Sequence, residues 1–256
     1  MIRRPPRSTL SSSSAASDVY KRQQLQPAYV LFSQPFQNTS LMVDFFTIDY
    51  GRIRVIAKGA RRRTSKYRAL LQPFHPLLIA FSGRGEVKTL GYLESGFGAI
   101  VLKGERLFSG LYLNEILCRL LHNYEEHKSL YKSYQDTLVS LQGSGDLENI
   151  LRVFELRLLA ELGYAINLSD DYVTNKPIMK GKLYKFIPDF GFEMVILSKD
   201  EEFPDNVFEG ETLVAIREMD MEGKTVAKSA KRLLRLAFAS LLGEKPLNSR
   251  NLFASN

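Results

Sequence analysis

The sequence predicts a multidomain protein in which a small all-β barrel is followed by a mainly α-helical domain with a small irregular β-hairpin insertion. Two changes of pattern along the chain support this fold class. Before about residue 95, turn residues separate short runs of Val, Ile, Phe and Tyr. After Gly104, apolar residues recur with the period of about 3.6 that is typical of helices. A chain of 256 residues, 45% of them hydrophobic, can form two such domains with separate cores.

Five segments in the first part of the chain have the composition of strands. Turn residues such as Gln34-Pro35 and Gly83-Arg84-Gly85 separate them. The predicted strands are residues 28–32, 41–47, 52–57, 77–82 and 87–93. Five closely spaced strands without a long helix are typical of the OB-fold barrel, and an SH3-like barrel is the alternative. We therefore expect an OB-fold domain over residues 25–104.

Helices are predicted from the apolar spacing and from the residues at their ends. The predicted helices are residues 107–121, 129–141, 147–162 and 224–242. Asp146 is placed to cap the amino terminus of the third helix, and Gly163 is placed to end it. Gly243 is placed to end the last helix in the same way.

The stretch between the third and the last predicted helix, residues 168–208, is irregular. Within it, residues 183–187 and 192–196 have the composition of two short strands around a Pro-Asp-Phe-Gly turn. We interpret this stretch as an insertion into a helical domain that covers residues 105–256.

The first residues do not have the pattern of a folded domain. Residues 1–23 contain Pro-Pro and four consecutive serines, with no helical or strand period. They resemble translated sequencing-adapter sequence, so we expect residues 1–24 to be an artefact outside the fold; a natural disordered tail is the alternative. Five of the first 23 residues are basic and one is acidic, so the remaining chain carries +3 of the total net charge of +7. Only local charge can therefore indicate a binding site.

Two features of the composition limit the class of protein. The single cysteine, Cys118, excludes an internal disulfide and a cysteine-cluster metal site. No window reaches the roughly 18 uncharged apolar residues that a membrane span requires. We expect a soluble protein of the cytoplasm without a cofactor.

The most informative feature is a basic run over residues 52–68 that contains no acid. Its cations are Arg52, Arg54, Lys58, Arg61, Arg62, Arg63, Lys66 and Arg68. We expect them, together with Arg84 and Lys88 on the next hairpin, to contact the phosphates of a nucleic acid. The alternative is a run that only makes the protein soluble. The side chains expected to stack on bases are Tyr67, Phe74, Phe81 and Tyr92.

No arrangement of catalytic residues is evident. His75, His122 and His127 do not have metal-ligand spacing. Gly223-Lys224 resembles the end of a phosphate-binding P-loop, but Glu218 stands where the motif requires glycine. No serine lies in a nucleophile elbow. The sequence therefore favours a protein that is not an enzyme.

Seven separated segments, in order, resemble the bacterial RecO family of recombination mediators. They are GRIRVIAKGAR at 51–61, LQPF at 71–74, GRGEVKTL at 83–90, LYLNE at 111–115, FEL at 154–156, LGY at 162–164 and KPLNSR at 245–250. The resemblance covers residues 26–253 and implies an OB-fold barrel followed by a helical domain. It also implies binding of single- and double-stranded DNA, annealing of complementary strands and, with RecR, help in loading RecA onto DNA coated by single-strand-binding protein (SSB).

Many members of that family carry a four-cysteine zinc site after the segment that matches LGY. Residues 165–208 contain no cysteine, so the chain resembles the zinc-free branch. We expect its small hairpin to be held by packing alone, mainly through Phe186, Phe190 and Phe192.

The resemblance further implies that the acidic, apolar-ended tail of SSB docks on the helical domain. The residues expected to form that pocket are Arg152, Leu156, Arg157, Leu159, Leu113 and Leu117; the alternative is that the leucines are core residues. Four cations of the last helix, Lys224, Lys228, Lys231 and Arg235, form a stripe that is expected either to extend the DNA path or to be a solvated face. From the residues alone, a protein adaptor or an RNA-binding factor remain alternatives.

Overall fold

The computed structural model describes residues 25–96, 98–198, 203–221, 223–243, 245–249 and 252. The expected amino-terminal tail lies outside them. The chain divides into two compact units. One ends at Ala99 and also includes His122–Glu126, and the other consists of Ile100–Leu121 and the chain from His127 onward. Among the described residues, no helix is both long and apolar enough to span a membrane.

The first unit is a closed five-stranded barrel, as predicted. Its strands are β1 (Gln26–Phe36), β2 (Ser40–Thr47), β3 (Gly51–Ala57), β4 (Leu77–Ser82) and β5 (Val87–Ser95). The strand order is β1-β2-β3-β5-β4, and β1 closes the barrel by pairing with β4. Only the β3–β5 pair is parallel among these pairings. A single turn of helix that the sequence did not predict, α1 (Tyr67–Leu70), precedes β4.

Strand β3 shows how the sequence pattern forms the barrel. Ile53, Val55 and Ala57 point into the barrel and have no exposed surface, whereas Arg52 and Arg54 point outward between them. Successive side chains of a strand point to opposite faces, so alternating apolar and basic residues place one set in the core and the other outside. The basic residues expected to contact nucleic acid therefore lie on the outside of the barrel or in the loop after β3.

The second unit is mainly helical, and its long helices agree with the prediction within two residues at each end. The helices are α2 (Glu105–Leu120), α3 (Lys128–Gln142), α4 (Leu147–Glu161), α5 (Gly210–Arg217) and α6 (Lys224–Leu242). Asp146 caps α4 as expected, since its carboxylate accepts hydrogen bonds from the backbone N–H groups of Glu148 and Asn149. Helix α5 was not predicted, because eight residues are too few to display a helical period clearly.

The insertion contains the predicted hairpin and a third strand that was not predicted, so it forms a three-stranded sheet. Its strands are β6 (Leu183–Ile187), β7 (Gly191–Val195) and β8 (Val207–Glu209), in the order β7-β6-β8. Phe192 is fully buried, with its ring centroid 5.3 Å from that of Phe186 and 6.1 Å from that of Phe208. The expectation that Phe190 belongs to this core is wrong, because Phe190 lies in the β6–β7 turn and 66% of its surface is exposed. Phe208, on the strand β8 that was not predicted, is the third phenylalanine of this core.

The insertion is not held by packing alone, because a buried carboxylate also joins its parts. Asp171 is 2% exposed and accepts hydrogen bonds from the backbone N–H groups of Val173 (2.9 Å), Thr174 (2.7 Å) and Met194 (2.6 Å). Burial alone would raise the pKa of Asp171, but these hydrogen bonds outweigh it and hold the pKa below its ordinary value. The carboxylate thus links the 171–174 turn to β7. No group of three or more potential metal ligands occurs among the described residues.

We expect Asp171→Ala to destabilise the helical unit by about 2 kcal/mol, because it leaves backbone donors inside the insertion without their charged acceptor. Since the pKa of Asp171 is lowered in the folded state, its contribution to stability should be complete above the ordinary pKa of an aspartate and be lost as the pH falls through the lower pKa of the folded state. Urea unfolding of the wild type and the variant at several pH values between neutral and acid measures this.

The neighbouring Asp170 provides the control, because Asp170→Ala removes the same charge from a carboxylate that is less buried. If both variants lose the same stability, or if the loss caused by Asp171→Ala does not shrink in acid, the proposed linkage is wrong.

Candidate nucleic-acid interface

The loop that follows β3, here called the basic loop (residues 58–68), is an ordered structure and not a loose connection. The backbone N–H groups of Arg62 and Ser65 bond to the carbonyls of Gly59 and Arg62 at 3.1 and 3.0 Å. The N–H of Arg61 bonds to the carbonyl of Thr39, in the turn between β1 and β2, at 2.8 Å. Ala60 is completely buried, and Gly59 has a φ of 68°, which favours glycine. These contacts hold the loop against the barrel.

The basic loop presents six exposed cations and no acid. They are Lys58, Arg61, Arg62, Arg63, Lys66 and Arg68. Arg61 also reaches the carbonyls of Gln37 and Asn38, with its Nη1 at 3.4 and 3.5 Å, and the Nζ of Lys66 lies 5.7 Å from the centre of the Tyr67 ring. Because the backbone is already ordered, an anion that binds here does not have to order the loop, which favours binding.

Arg52 and Arg54 have a different environment from the loop cations, because both contact Asp44. Arg54 donates from Nε and Nη2 to the two carboxylate oxygens at 2.7 and 2.9 Å, and Nη2 of Arg52 lies 3.5 Å from the same group. The Asp44 side chain is only 5% exposed. The basic run has no acid in sequence, but the pairing of β2 with β3 brings one beside it, since Asp44 is directly opposite Arg54.

Arg84 and Lys88 lie at the β4–β5 turn. Arg84 is exposed, whereas Lys88 donates to the carbonyl of Gly83 at 3.1 Å, and its Nζ lies 5.0 Å from the centre of the Tyr124 ring. Tyr124 belongs to the segment His122–Glu126, which packs on the barrel although it follows the last barrel strand by more than 25 residues in sequence. Its N–H bonds to the carbonyl of Arg52 at 2.9 Å, and its hydroxyl donates to the carbonyl of Glu86. No local pattern in the sequence predicts this contact.

The exposure of the aromatic side chains on the barrel differs from what the sequence predicts. Phe74 is buried (4% exposed), so it is not available for stacking, while Tyr67 and Phe81 pack partly against the barrel core. The hydroxyl of Tyr92 donates to Glu94 at 2.6 Å, and this hydrogen bond raises the pKa of Tyr92. Phe32, which was not among the aromatic residues expected to stack on bases, is 51% exposed.

The exposure of Phe32 has a specific cause. Ala28 and Val30 point into the barrel, so simple alternation would place Phe32 inside as well. The register of β1 against β2 shifts between Val30 and Phe32, and this bulge turns Phe32 outward, where it is paired with Asp44. A single sequence contains no reliable signal for such a bulge.

The residues expected to form a tail pocket in the helical unit do not line one open site. Leu113, Leu117, Leu156 and Leu159 are all at most 9% exposed and belong to the core, which was the alternative interpretation. Arg152 is buried and forms an ion pair with Glu155 at 2.7 Å. Arg157, on the same helix, is exposed and its Nη1 lies 3.5 Å from the Ser133 hydroxyl of α3. The two arginines therefore lie on different sides of α4.

A cavity of about 580 Å³ lies among α2, α4 and α6 of the same unit, close to the expected residues. Its apolar lining comes from Leu147, Leu151, Leu234 and Phe238. Three cations, Arg152, Lys231 and Arg235, and three acids, Glu105, Glu148 and Glu155, also line it. Lys231 pairs with Glu148 at 2.8 Å, so part of this charge is balanced within the cavity wall. Such a combination of apolar floor and charged rim suits an amphipathic ligand.

The expected cationic stripe of the last helix is present on α6. Lys224, Lys228, Lys231 and Arg235 are all exposed and follow one another at intervals of three or four residues. Residues at that spacing share one side of a helix. Lys231 and Arg235 also line the cavity, so the stripe leads into it.

Comparison with known proteins gives a consistent result over almost the whole chain. Residues 22–96 match the family described as recombination protein O, N terminal, and residues 102–251 match recombination protein O, C terminal. DNA repair protein RecO of Coxiella burnetii (strain RSA 331 / Henzerling II) is 41% identical over 232 residues, which is 91% of this chain and 98% of that protein. The proteins of the same name from Pseudomonas putida (strain GB-1) and Yersinia pestis (strain Pestoides F) are 44% and 41% identical, over 89% of this chain and 96% and 93% of theirs.

Proposed function

This chain belongs to the RecO family of DNA repair proteins, and from that membership we propose that it is a recombination mediator. In this proposal it binds single- and double-stranded DNA, anneals complementary strands and, with RecR, helps load RecA onto DNA coated by SSB. It acts beside the chromosome in the cytoplasm. The free energy for annealing comes from base pairing, so the protein itself needs no cofactor and no covalent chemistry.

The observation that carries the proposal is the basic loop. It presents exposed cations on an ordered backbone, with no acid among them. Each cation that meets a phosphate releases condensed counterions, and this release drives binding to any nucleic-acid sequence. A repair protein that acts at gaps of arbitrary sequence requires this kind of contact.

We further propose that annealing depends on charge neutralisation by this surface. Two strands repel each other through their phosphates, and cations of the basic loop together with Arg84 reduce that repulsion while the bases remain able to pair. Arg52 and Arg54 contribute less to phosphate binding, because Asp44 already balances part of their charge. The cations of α6 are a second surface along which DNA can run.

The experiment that tests this function is the annealing of complementary strands coated with SSB. The purified chain should accelerate it, and RecR should be required for transfer of the strand to RecA. A protein adaptor would bind no oligonucleotide in a length-dependent manner, and an RNA-binding factor would prefer RNA when RNA and DNA compete. Either result would replace the mediator proposal.

We propose the cavity among α2, α4 and α6 as the site for the acidic, apolar-ended tail of SSB. Its apolar residues can take the end of the tail, and Arg235 and Lys231 can meet the carboxylates. This cavity differs from the pocket expected from the sequence, which was formed mainly by leucines that belong to the core. Of the residues expected there, only Arg152 also lines the cavity.

We expect Arg235→Ala to weaken the binding of a peptide of the SSB tail by at least about tenfold, because a charge-assisted hydrogen bond contributes about 1.5–3 kcal/mol. Fluorescence anisotropy of the labelled peptide measures it. Lys228→Ala is the matched control, since Lys228 is an exposed cation of the same helix that does not line the cavity. Equal losses in both variants would mean that the peptide responds only to the net charge of α6.

A further inference from the structure

An ion pair joins two walls of the cavity among α2, α4 and α6. The Nζ of Lys231 in α6 donates to Oε1 of Glu148 in α4 at 2.8 Å, although the two residues are 83 positions apart in the sequence. Both residues line the cavity, each from its own helix. The pair therefore lies across one edge of the cavity and is part of its wall.

The pair lies at the rim of the cavity and not at its floor. The side chains of Lys231 and Glu148 are 52% and 45% exposed. Leu234 and Phe238 of the apolar lining are at most 3% exposed. A ligand that places an apolar end on this floor brings the rest of its chain past the rim, where Glu148 holds Lys231.

The fold does not depend on this ion pair. Ion pairs between exposed side chains contribute little to stability, because water already solvates both charges. Glu148 lies in the first turn of α4, but the residue that caps this helix is Asp146, whose carboxylate accepts from the backbone N–H groups of Glu148 and Asn149. The side chain of Glu148 can therefore move away from Lys231 without loss of the helix.

The other two acids of the cavity have different environments. Glu155 has no exposed surface, and Arg152 holds its carboxylate at 2.7 Å. Glu105 is an exposed residue in the first turn of α2 and lines the cavity from that helix. Among the ion pairs of the described residues, the one that includes Lys231 is with Glu148. Glu148 is thus the acid that neutralises this cation of the rim.

We propose that Glu148 is an internal competitor of the acidic ligand: it holds Lys231 until a carboxylate of the ligand replaces it. The inference rests on the proposed binding of the acidic SSB tail in this cavity and adds what limits that binding. Because binding exchanges one ion pair for another, Lys231 adds little to the affinity. When the tail leaves, Glu148 returns to Lys231, which favours release of the tail.

The variant Glu148→Gln tests the competition, because it removes the charge and keeps the shape of the side chain. It should tighten the binding of a labelled peptide of the SSB tail about threefold, which is the factor that an exposed ion pair typically provides. A peptide of the same sequence with amides in place of all its carboxylates cannot replace Glu148, so it should bind wild type and variant equally. Fluorescence anisotropy at low salt measures both affinities.

The matched control is Glu105→Gln, which removes the same charge from the same cavity and leaves the ion pair intact. Its effect on the acidic peptide should be clearly smaller than that of Glu148→Gln. Equal gains in the two variants would show that only the net charge of the cavity matters and would overturn the proposal, as would an equal gain with the amide peptide.

The same measurements separate this inference from the proposed tail site. If wild type binds the acidic peptide and Glu148→Gln binds it no more tightly, only the competition is wrong. If neither protein binds the peptide, the proposed tail site is wrong, and the competition with it. The thermal stability of Glu148→Gln should equal that of wild type, because both side chains of the pair are about half exposed.

Discussion

Replacing Arg61, Arg62 and Arg63 together with alanine is expected to weaken the binding of single- and double-stranded DNA to a similar extent, by tenfold or more. Each lost phosphate contact should lower the slope of log affinity against log salt by about 0.7 for single strands and about 0.9 for duplex, so the triple variant should lose about 2.1 units with single strands and about 2.7 units with duplex. Annealing should slow in parallel. Fluorescence anisotropy over a salt series, with annealing rates measured at one low salt concentration, checks all three expectations.

The control for this variant removes the same charge elsewhere. Lys132, Lys176 and Lys185 are exposed residues of the helical unit, and their joint replacement by alanine changes the net charge equally. If this control lowers the salt slope as much as the loop variant does, binding reflects the overall charge and the basic loop is not the site. The loop variant should keep the wild-type thermal stability, because the three side chains are exposed.

The largest effect on stability is expected from Arg152→Ala. Arg152 is 7% exposed and forms an ion pair at 2.7 Å with Glu155, which has no exposed surface. Glu155 also accepts a hydrogen bond from the Tyr112 hydroxyl at 2.5 Å. Removing the arginine leaves a buried carboxylate without its counter-charge, which costs about 3–5 kcal/mol. Urea unfolding, followed by the helical circular dichroism signal, measures the loss.

Two further variants distinguish the loss of stability caused by breaking the ion pair from the loss caused by removing side-chain volume. Arg157→Ala, on the same helix but exposed, should change stability by about 0.5 kcal/mol or less. The double variant Arg152→Met with Glu155→Gln should recover much of the loss, since it removes the buried charge and keeps an acceptor for Tyr112. A double variant as unstable as Arg152→Ala would indicate that packing, and not charge, causes the effect.

The candidate site was predictable where it depends on residues close together in sequence. The basic loop follows β3 directly, so its cations could be identified as a group without knowledge of the fold. The sequence could not show that Arg52 and Arg54 differ from the cations of the basic loop. Their partner Asp44 lies on another strand and contacts them only because of the register of β2 and β3. For the same reason, the sequence could not show which of the residues expected in the tail pocket are buried, because the buried face of α4 depends on the helices that pack against it.

By itself, the sequence determined the order of the two units, the five barrel strands, the long helices and the Asp146 cap, because each depends on a local period or on a residue beside an element's end. Only the tertiary structure decided that Phe32 points outward, that Asp44 balances two of the arginines and that Phe208 completes the small core. A bulge, a cross-strand ion pair and a three-residue strand arise from pairing between distant segments. Local patterns do not contain that information.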